Sequence, residues 1–138
     1  MKRNEPVSKI MTANPITVNL SMKPSEVRAL FESKAIRHLP VVSGDEVYGM
    51  ISATDMVRFA GATKGQDPRA VDAVLDHTWT LESMLTRQVA TVSSRDTIRS
   101  AAELFAEGRF NALPVVDGQK LVGIVTTTDV IRYLLEQY

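Results

Sequence analysis

Leu39-Pro40-Val41-Val42 returns as Leu113-Pro114-Val115-Val116, a shift of 74 residues, and the reading of the whole chain turns on that recurrence. The shift holds without a gap when residues 7–59 are laid over 81–133. Identities fall at Thr12, Thr17, Val18, Leu30, Phe31, Leu39 to Val42, Gly44, Gly49, Thr54, Asp55 and Arg58, each repeated 74 residues later. About three chance identities are expected from average composition, so the halves are duplicated units.

Around this core the periodicity changes in the same order in both halves. Thr17-Val18 and Ala90-Thr91-Val92 read as short extended pieces. A helical pattern follows, with Val27, Leu30 and Phe31, or Ile98, Ala101, Ala102, Leu104 and Phe105, on one face. Ser21 to Pro24 and Ser94 are the start signals for these helices. Two apolar strands then flank the turns Ser43-Gly44-Asp45-Glu46 and Asp117-Gly118-Gln119-Lys120, and a second helix runs from Thr54 to about Ala60, or from Thr128 to about Gln137. The expected organisation is α/β (α+β): β-α-β-β-α twice, with one repeat over 1–60, a connector over 61–80 and the other repeat over 81–138. Ala70 to Leu75 predict a short helix inside the connector. Repeats of this size bury too little surface alone, so the two sheets are expected to pack on each other as one pseudo-two-fold module.

Composition narrows the functions available. The chain has 138 residues, 16 basic and 16 acidic, so no global field draws it to nucleic acid or to an anionic membrane. Cysteine is absent, which excludes disulfides, thiol catalysis and cysteine-held metals, and makes an intracellular address the default. No apolar run reaches the length of a membrane span, so a cytoplasmic location is expected. His38 and His77 stand in no metal-binding spacing, and no glycine elbow or phosphate loop is present. The expectation is a protein that is no enzyme and holds no metal or catalytic cofactor.

The ordered set of motifs resembles a tandem pair of CBS domains, a Bateman module of the free-standing kind. The residues that carry the resemblance are Ile10-Met11-Thr12, Thr17-Val18, Leu39 to Val42, Gly49 and Ser52-Ala53-Thr54-Asp55, repeated as Leu85-Thr86, Thr91-Val92, Leu113 to Val116, Gly123 and Thr126-Thr127-Thr128-Asp129. The resemblance implies two repeats packed as one module, a regulatory role, and an adenosyl ligand in the cleft between the repeats. AMP, ADP or ATP is the first expectation, ahead of S-adenosylmethionine or NAD. It also implies a homodimer and a regulated partner protein not named by the sequence.

The residues themselves offer a chemistry for such a ligand. Ser/Thr-x-x-Asp leaves a strand and enters a helix, so Ser52 and Asp55, or Thr126 and Asp129, stand beside free backbone N–H groups. The carboxylate suits a ribose diol and the hydroxyl with the helix end suits phosphate. The same spacing is equally a helix capping box, and both readings stay open at this level. Thr17 and Thr91 place hydroxyls at strand starts, while Ile10, Met11, Met84, Leu85, Pro40 and Pro114 belong either to an adenine slot or to the core. The halves differ at Arg37-His38 against Asn111-Ala112: a guanidinium and an imidazole suit phosphate, and alanine lets a base approach the backbone. Arg58 and Arg132 follow each aspartate by three residues, as phosphate contacts or as surface ion pairs. The competing function is a ligand-independent dimerisation or protein-interaction module, its cleft vestigial or closed by His38, Phe110 or Arg109. Trp79 has no role legible in the sequence.

Overall fold

The computed structural model describes residues 4–61, 67–87 and 90–138. The predicted elements are present. The first repeat contributes β2 (Val18–Asn19), α1 (Pro24–Ser33), β3 (His38–Ser43), β4 (Glu46–Ser52) and α2 (Ala53–Gly61). The second contributes β5 (Val92–Ser93), α5 (Ile98–Ala106), β6 (Ala112–Asp117), β7 (Lys120–Thr126) and α6 (Thr127–Glu136). Equivalent registers confirm the duplication: β2 runs parallel to β3 with Val18 opposite Val41, and β5 parallel to β6 with Val92 opposite Val115. Both hairpins turn through a glycine at φ +63, Gly44 and Gly118, a backbone state that a side chain disfavours.

Three short elements escape the sequence periodicity: a 3-10 turn at Val7–Lys9, β1 (Thr12–Ala13) and α4 (Leu81–Met84). They form the lead-in of each repeat, and they decide how the chain is partitioned. One compact unit comprises the described residues of Ile16–Gly44 and Tyr48–Gln88; the other comprises the described residues of Met1–Pro15, Asp45–Val47 and Val89–Tyr138. Each is named below by its motif aspartate, the Asp55 unit and the Asp129 unit. The lead-in of one repeat therefore sits with the strands of the other.

In the Asp55 unit the core is built from Val18, Val27, Leu39, Val41, Ile51, Met56 and Leu75, completed by Leu81 and Met84 from the second repeat's lead-in. Thr86 exchanges both backbone hydrogen bonds with Met50, at 2.8 and 3.0 Å. In the Asp129 unit, Val7 joins Val92, Ala101, Phe105, Leu113, Val115, Val125 and Val130. There β1 pairs antiparallel with β7, Thr12 opposite Ile124 and Ala13 opposite Gly123.

The connector carries a longer helix than its apolar residues alone suggest, α3 (Pro68–Thr78). Asp67 caps it by accepting the Ala70 N–H at 2.9 Å. Leu75 is fully buried, and two carboxylates one turn apart fasten α3 to α1. Asp72 accepts from Arg28 at 2.8 Å, while Asp76 accepts from the Ser25 N–H and hydroxyl at 2.9 and 2.6 Å. Asp76 thus satisfies an orphan donor in the first turn of α1, where a negative charge also meets the helix dipole favourably. Trp79, just beyond α3, packs edge-on against Phe59 with ring centroids 5.2 Å apart.

The start of α5 corrects one expectation. Thr97, not Ser94, is its cap and accepts the Ser100 N–H at 3.0 Å. The Ser94 hydroxyl donates instead to Asp117, and Asp96 accepts the Ser93 N–H, so Ser94 lies in a turn that must close before the helix begins. Among the described residues no helix is long and apolar enough to cross a membrane.

Candidate functional site

The predicted site residues sort cleanly between the units. Thr17, Arg37, His38, Pro40, Ser52 and Asp55 all belong to the Asp55 unit; Thr91, Asn111, Ala112, Pro114, Thr126 and Asp129 all belong to the Asp129 unit. Within each, the strand-to-helix step is tied by a reciprocal pair of bonds. In the Asp55 unit the Ser52 N–H donates to Asp55 Oδ2 at 3.1 Å, and the Asp55 N–H donates to Ser52 Oγ at 3.0 Å. In the Asp129 unit the Thr126 N–H donates to Asp129 Oδ2 at 2.8 Å, and the Asp129 N–H donates to Thr126 Oγ1 at 3.1 Å.

Both motifs are therefore genuine capping boxes. Capping uses only part of each group. A carboxylate has two oxygens, and the box engages one; a hydroxyl that accepts keeps its own hydrogen for donation. Capping therefore exhausts neither group, although in the Asp55 unit the second carboxylate oxygen also faces Arg58.

The residues before the central strands are brought to the same step by backbone bonds. The Arg37 carbonyl accepts the Ala53 N–H at 2.7 Å, and the Asn111 carbonyl accepts the Thr127 N–H at 3.0 Å. Ala112 lies opposite Thr126 in the β6–β7 register, and Pro114 opposite Ile124. Pro40, Ala112 and Pro114 are buried within strands, whereas Arg37 and Asn111 are exposed. Thr17 and Thr91 are exposed at the positions just before β2 and β5, and no side-chain hydrogen bond joins them to the caps.

His38 heads β3 half-buried, and its pKa is lowered from the usual 6.5, first by burial and then by the Arg37 charge, with Asp55 opposing. Above 6.5 the imidazole is neutral folded and unfolded alike. As pH falls below 6.5 the unfolded chain takes up the proton first, so stability drops until the lowered folded value is passed. Thermal melts from pH 7.5 to 5.5 are expected to fall more steeply in the native chain than in His38→Gln, by up to about 1.4 kcal/mol per pH unit for one proton. Identical slopes would remove His38 as the cause.

The two motif arginines part company. Arg58 Nη2 lies 3.5 Å from Asp55 Oδ1, and its guanidinium stands over the Phe59 ring at 5.2 Å. Arg132 makes no ion pair among the described residues and instead lines a cavity of about 270 Å³ with Lys9, Ile10, Asp129, Tyr133 and Glu136. Tyr133, at the position equivalent to Phe59, donates its hydroxyl to Glu5 at 2.5 Å, which raises its pKa. Lys9 also bonds Glu5, at 2.6 Å, so the lead-in is pinned beside α6. Lys9, Tyr133 and Glu136 are the lining residues that the sequence reading did not assign to the site, since none of them lies in a motif. Among the described residues no cluster of metal-ligating side chains is present.

The model of the CBS domain matches this chain twice, over residues 7–61 and 81–136. The chain belongs to the CBS domain family. The uncharacterized protein MJ1225 of Methanocaldococcus jannaschii is 28% identical over 95% of this chain and 43% of its own length. The chain spans less than half the length of the curated relatives it matches first. Among solved structures, CBSX2 in complex with AMP superposes with a TM-score of 0.80 at 25% identity, covering 96% of this chain and 97% of that one. The CBS domain pair of MJ0100, in complex with 5′-methylthioadenosine and S-adenosyl-L-methionine, superposes at 0.77 with 25% identity, covering 94% and 98%. The fold is thus that of a CBS domain pair.

Proposed function

We propose that this chain is a regulatory module that binds adenine nucleotides, AMP, ADP or ATP, and passes their occupancy to a partner protein. The observation that carries the reading is Asp129. It lines the 270 Å³ cavity, its Oδ2 is engaged by the cap, and its Oδ1 has no partner among the described residues. An anionic oxygen in that state accepts hydrogen bonds from a ribose diol without dismantling the helix start. The adenosyl ligands of CBSX2 and of the MJ0100 pair support the ligand class. Regulation follows if the ligand has different affinity for two arrangements of the module, because only that difference can shift their populations.

Thermal melting in the presence of AMP, ATP, S-adenosylmethionine and NAD tests the proposal. A ligand at about 100 times its dissociation constant stabilises by roughly 2.7 kcal/mol. Asp129→Ala is expected to abolish that shift while leaving a folded chain. No shift with any of the four would favour the second reading, a ligand-independent interaction module. Val57 and Ile131, at equivalent positions of α2 and α6 and 71% and 51% exposed, support that reading.

A further inference from the structure

We infer that residues 5–10, the lead-in held in the Asp129 unit, form a strap that opens and closes the 270 Å³ cavity, and that a clasp of Glu5, Tyr133 and Lys9 keeps it shut. The inference concerns access to the cavity, whatever occupies it, and so goes beyond the nucleotide reading.

Lys9 and Ile10 form one wall of the cavity, and Asp129, Arg132, Tyr133 and Glu136 of α6 form the other. One carboxylate draws the two walls together. Glu5 Oε2 accepts the Tyr133 hydroxyl at 2.5 Å and Glu5 Oε1 accepts from Lys9 Nζ at 2.6 Å, so both oxygens are engaged. The Glu5 carbonyl also accepts the Ile98 N–H at 2.8 Å, at the first turn of α5. Movement of residues 5–10 away from α6 removes two of the six lining residues and with them one wall.

The 74-residue shift supplies an internal control. Glu5 corresponds to Trp79 and Tyr133 to Phe59, and that pair is in contact too, ring against ring at 5.2 Å. One clasp is a hydrogen bond and its counterpart an aromatic contact. Leu81 and Met84, 1% and 3% exposed, both belong to the core of the Asp55 unit. Their counterparts are Val7, fully buried, and Ile10, half-buried at the cavity. Ile98 corresponds to Pro24, which has no N–H to offer the Trp79 carbonyl. Polar bonds thus hold one lead-in where apolar contacts hold the other.

The two kinds of contact open differently. Burial of apolar surface has no replacement in water, whereas a hydrogen bond is exchanged for one to water at small net cost. The Val7 and Ser8 N–H groups donate to the Asp96 and Ser94 carbonyls at 2.7 and 3.2 Å, in a turn whose Arg95 and Asp96 are exposed, so water reaches these bonds as well. A segment anchored by one valine and by such bonds opens at lower free energy than one anchored by Trp79, Leu81 and Met84. A molecule seated in the cavity holds the strap closed by mass action, which makes the strap the moving part that reports occupancy.

Hydrogen exchange of the full chain, read by mass spectrometry, tests the inference. Residues 5–10 are expected to exchange at least about tenfold faster than residues 81–86. Tyr133→Phe keeps the ring and removes the hydroxyl; exchange over 5–10 should rise about tenfold further, as for one lost hydrogen bond to a charged group, while 81–86 and 112–126 keep their native rates. Glu5→Gln, which removes the charge that Lys9 meets, should act in the same direction. The chain has no cysteine, so Ile10→Cys gives a single thiol, and its labelling by N-ethylmaleimide should accelerate by a similar factor when Tyr133→Phe is added. Glu5→Trp combined with Tyr133→Phe rebuilds the Trp79–Phe59 pair and should return exchange over 5–10 to the native rate or below. Exchange over 5–10 that rises only together with 112–126 would mean that the strap opens by unfolding of the unit, and overturns the inference. Labelling at Ile10→Cys that ignores Tyr133→Phe overturns it equally.

Discussion

Leu81→Ala is expected to destabilise the chain by about 2–5 kcal/mol, and to do so in the Asp55 unit. Leu81 opens the second repeat, yet it is 1% exposed and packs with Val18, Leu39, Val41 and Ile51 of the first. Truncation removes its transfer free energy and leaves a void among packed neighbours that relax only in part. Trp79, the only tryptophan, stands two residues away in the same core, so its emission follows this unit during denaturant unfolding. Hydrogen exchange should accelerate across β3 and the later part of β4, residues 38–43 and 48–52, rather than across β6 and β7, residues 112–126. The reverse pattern would mean that each lead-in packs on its own repeat.

That partition shows where sequence reading stops. The duplication was legible because 74-residue spacing preserves both identity and period, and hairpins and long helices follow from local chemistry. Val7 and Leu81 are equivalent in the alignment, and nothing local tells either which sheet it will join. A three-residue turn, a two-residue strand and a four-residue helix are all shorter than the window in which periodicity can be recognised. The connector helix was visible in Ala70 to Leu75, but its docking was not. Ser25, Arg28, Asp72 and Asp76 read as ordinary surface residues until α1 and α3 are side by side.

The candidate site divides in the same way. The Ser/Thr-x-x-Asp caps are short-range, and their spacing alone anticipated the bonds found at Ser52 with Asp55 and at Thr126 with Asp129. The fates of Arg58 and Arg132 are not short-range. The two arginines are identical in sequence context to the level of Thr-Asp-x-x-Arg, yet Arg58 faces Asp55 and stands over the Phe59 ring, whereas Tyr133, at the position matching Phe59, donates its hydroxyl to Glu5 and Arg132 lines the cavity. The two copies of the motif thus have unlike surroundings, one of which includes a contact to a residue more than a hundred positions away in the chain.

Gly49→Ala is expected to cost about 3 kcal/mol, at the upper end of overpacking penalties. Gly49 has no unusual backbone angle; it is glycine because of what lies opposite. A Cβ there would stand 2.6 Å from the Thr86 carbonyl oxygen and 2.7 Å from Leu85 Cδ1. The side-chain atom can move, but the carbonyl belongs to a backbone held by the two Met50–Thr86 hydrogen bonds, so relief requires giving up part of that pairing. Gly123 faces the same segment of the other lead-in, with Met11 Sδ at 2.5 Å and the Thr12 carbonyl oxygen at 3.0 Å from the built Cβ. Its first obstacle is the end of a flexible side chain, so Gly123→Ala should cost less than Gly49→Ala. Urea midpoints of the two variants, measured beside the native chain, give the order directly. An equal or inverted order would show that the Thr86 backbone yields as readily as the Met11 side chain, and that the lead-in is held by its buried Leu81 and Met84 rather than by its strand pairing.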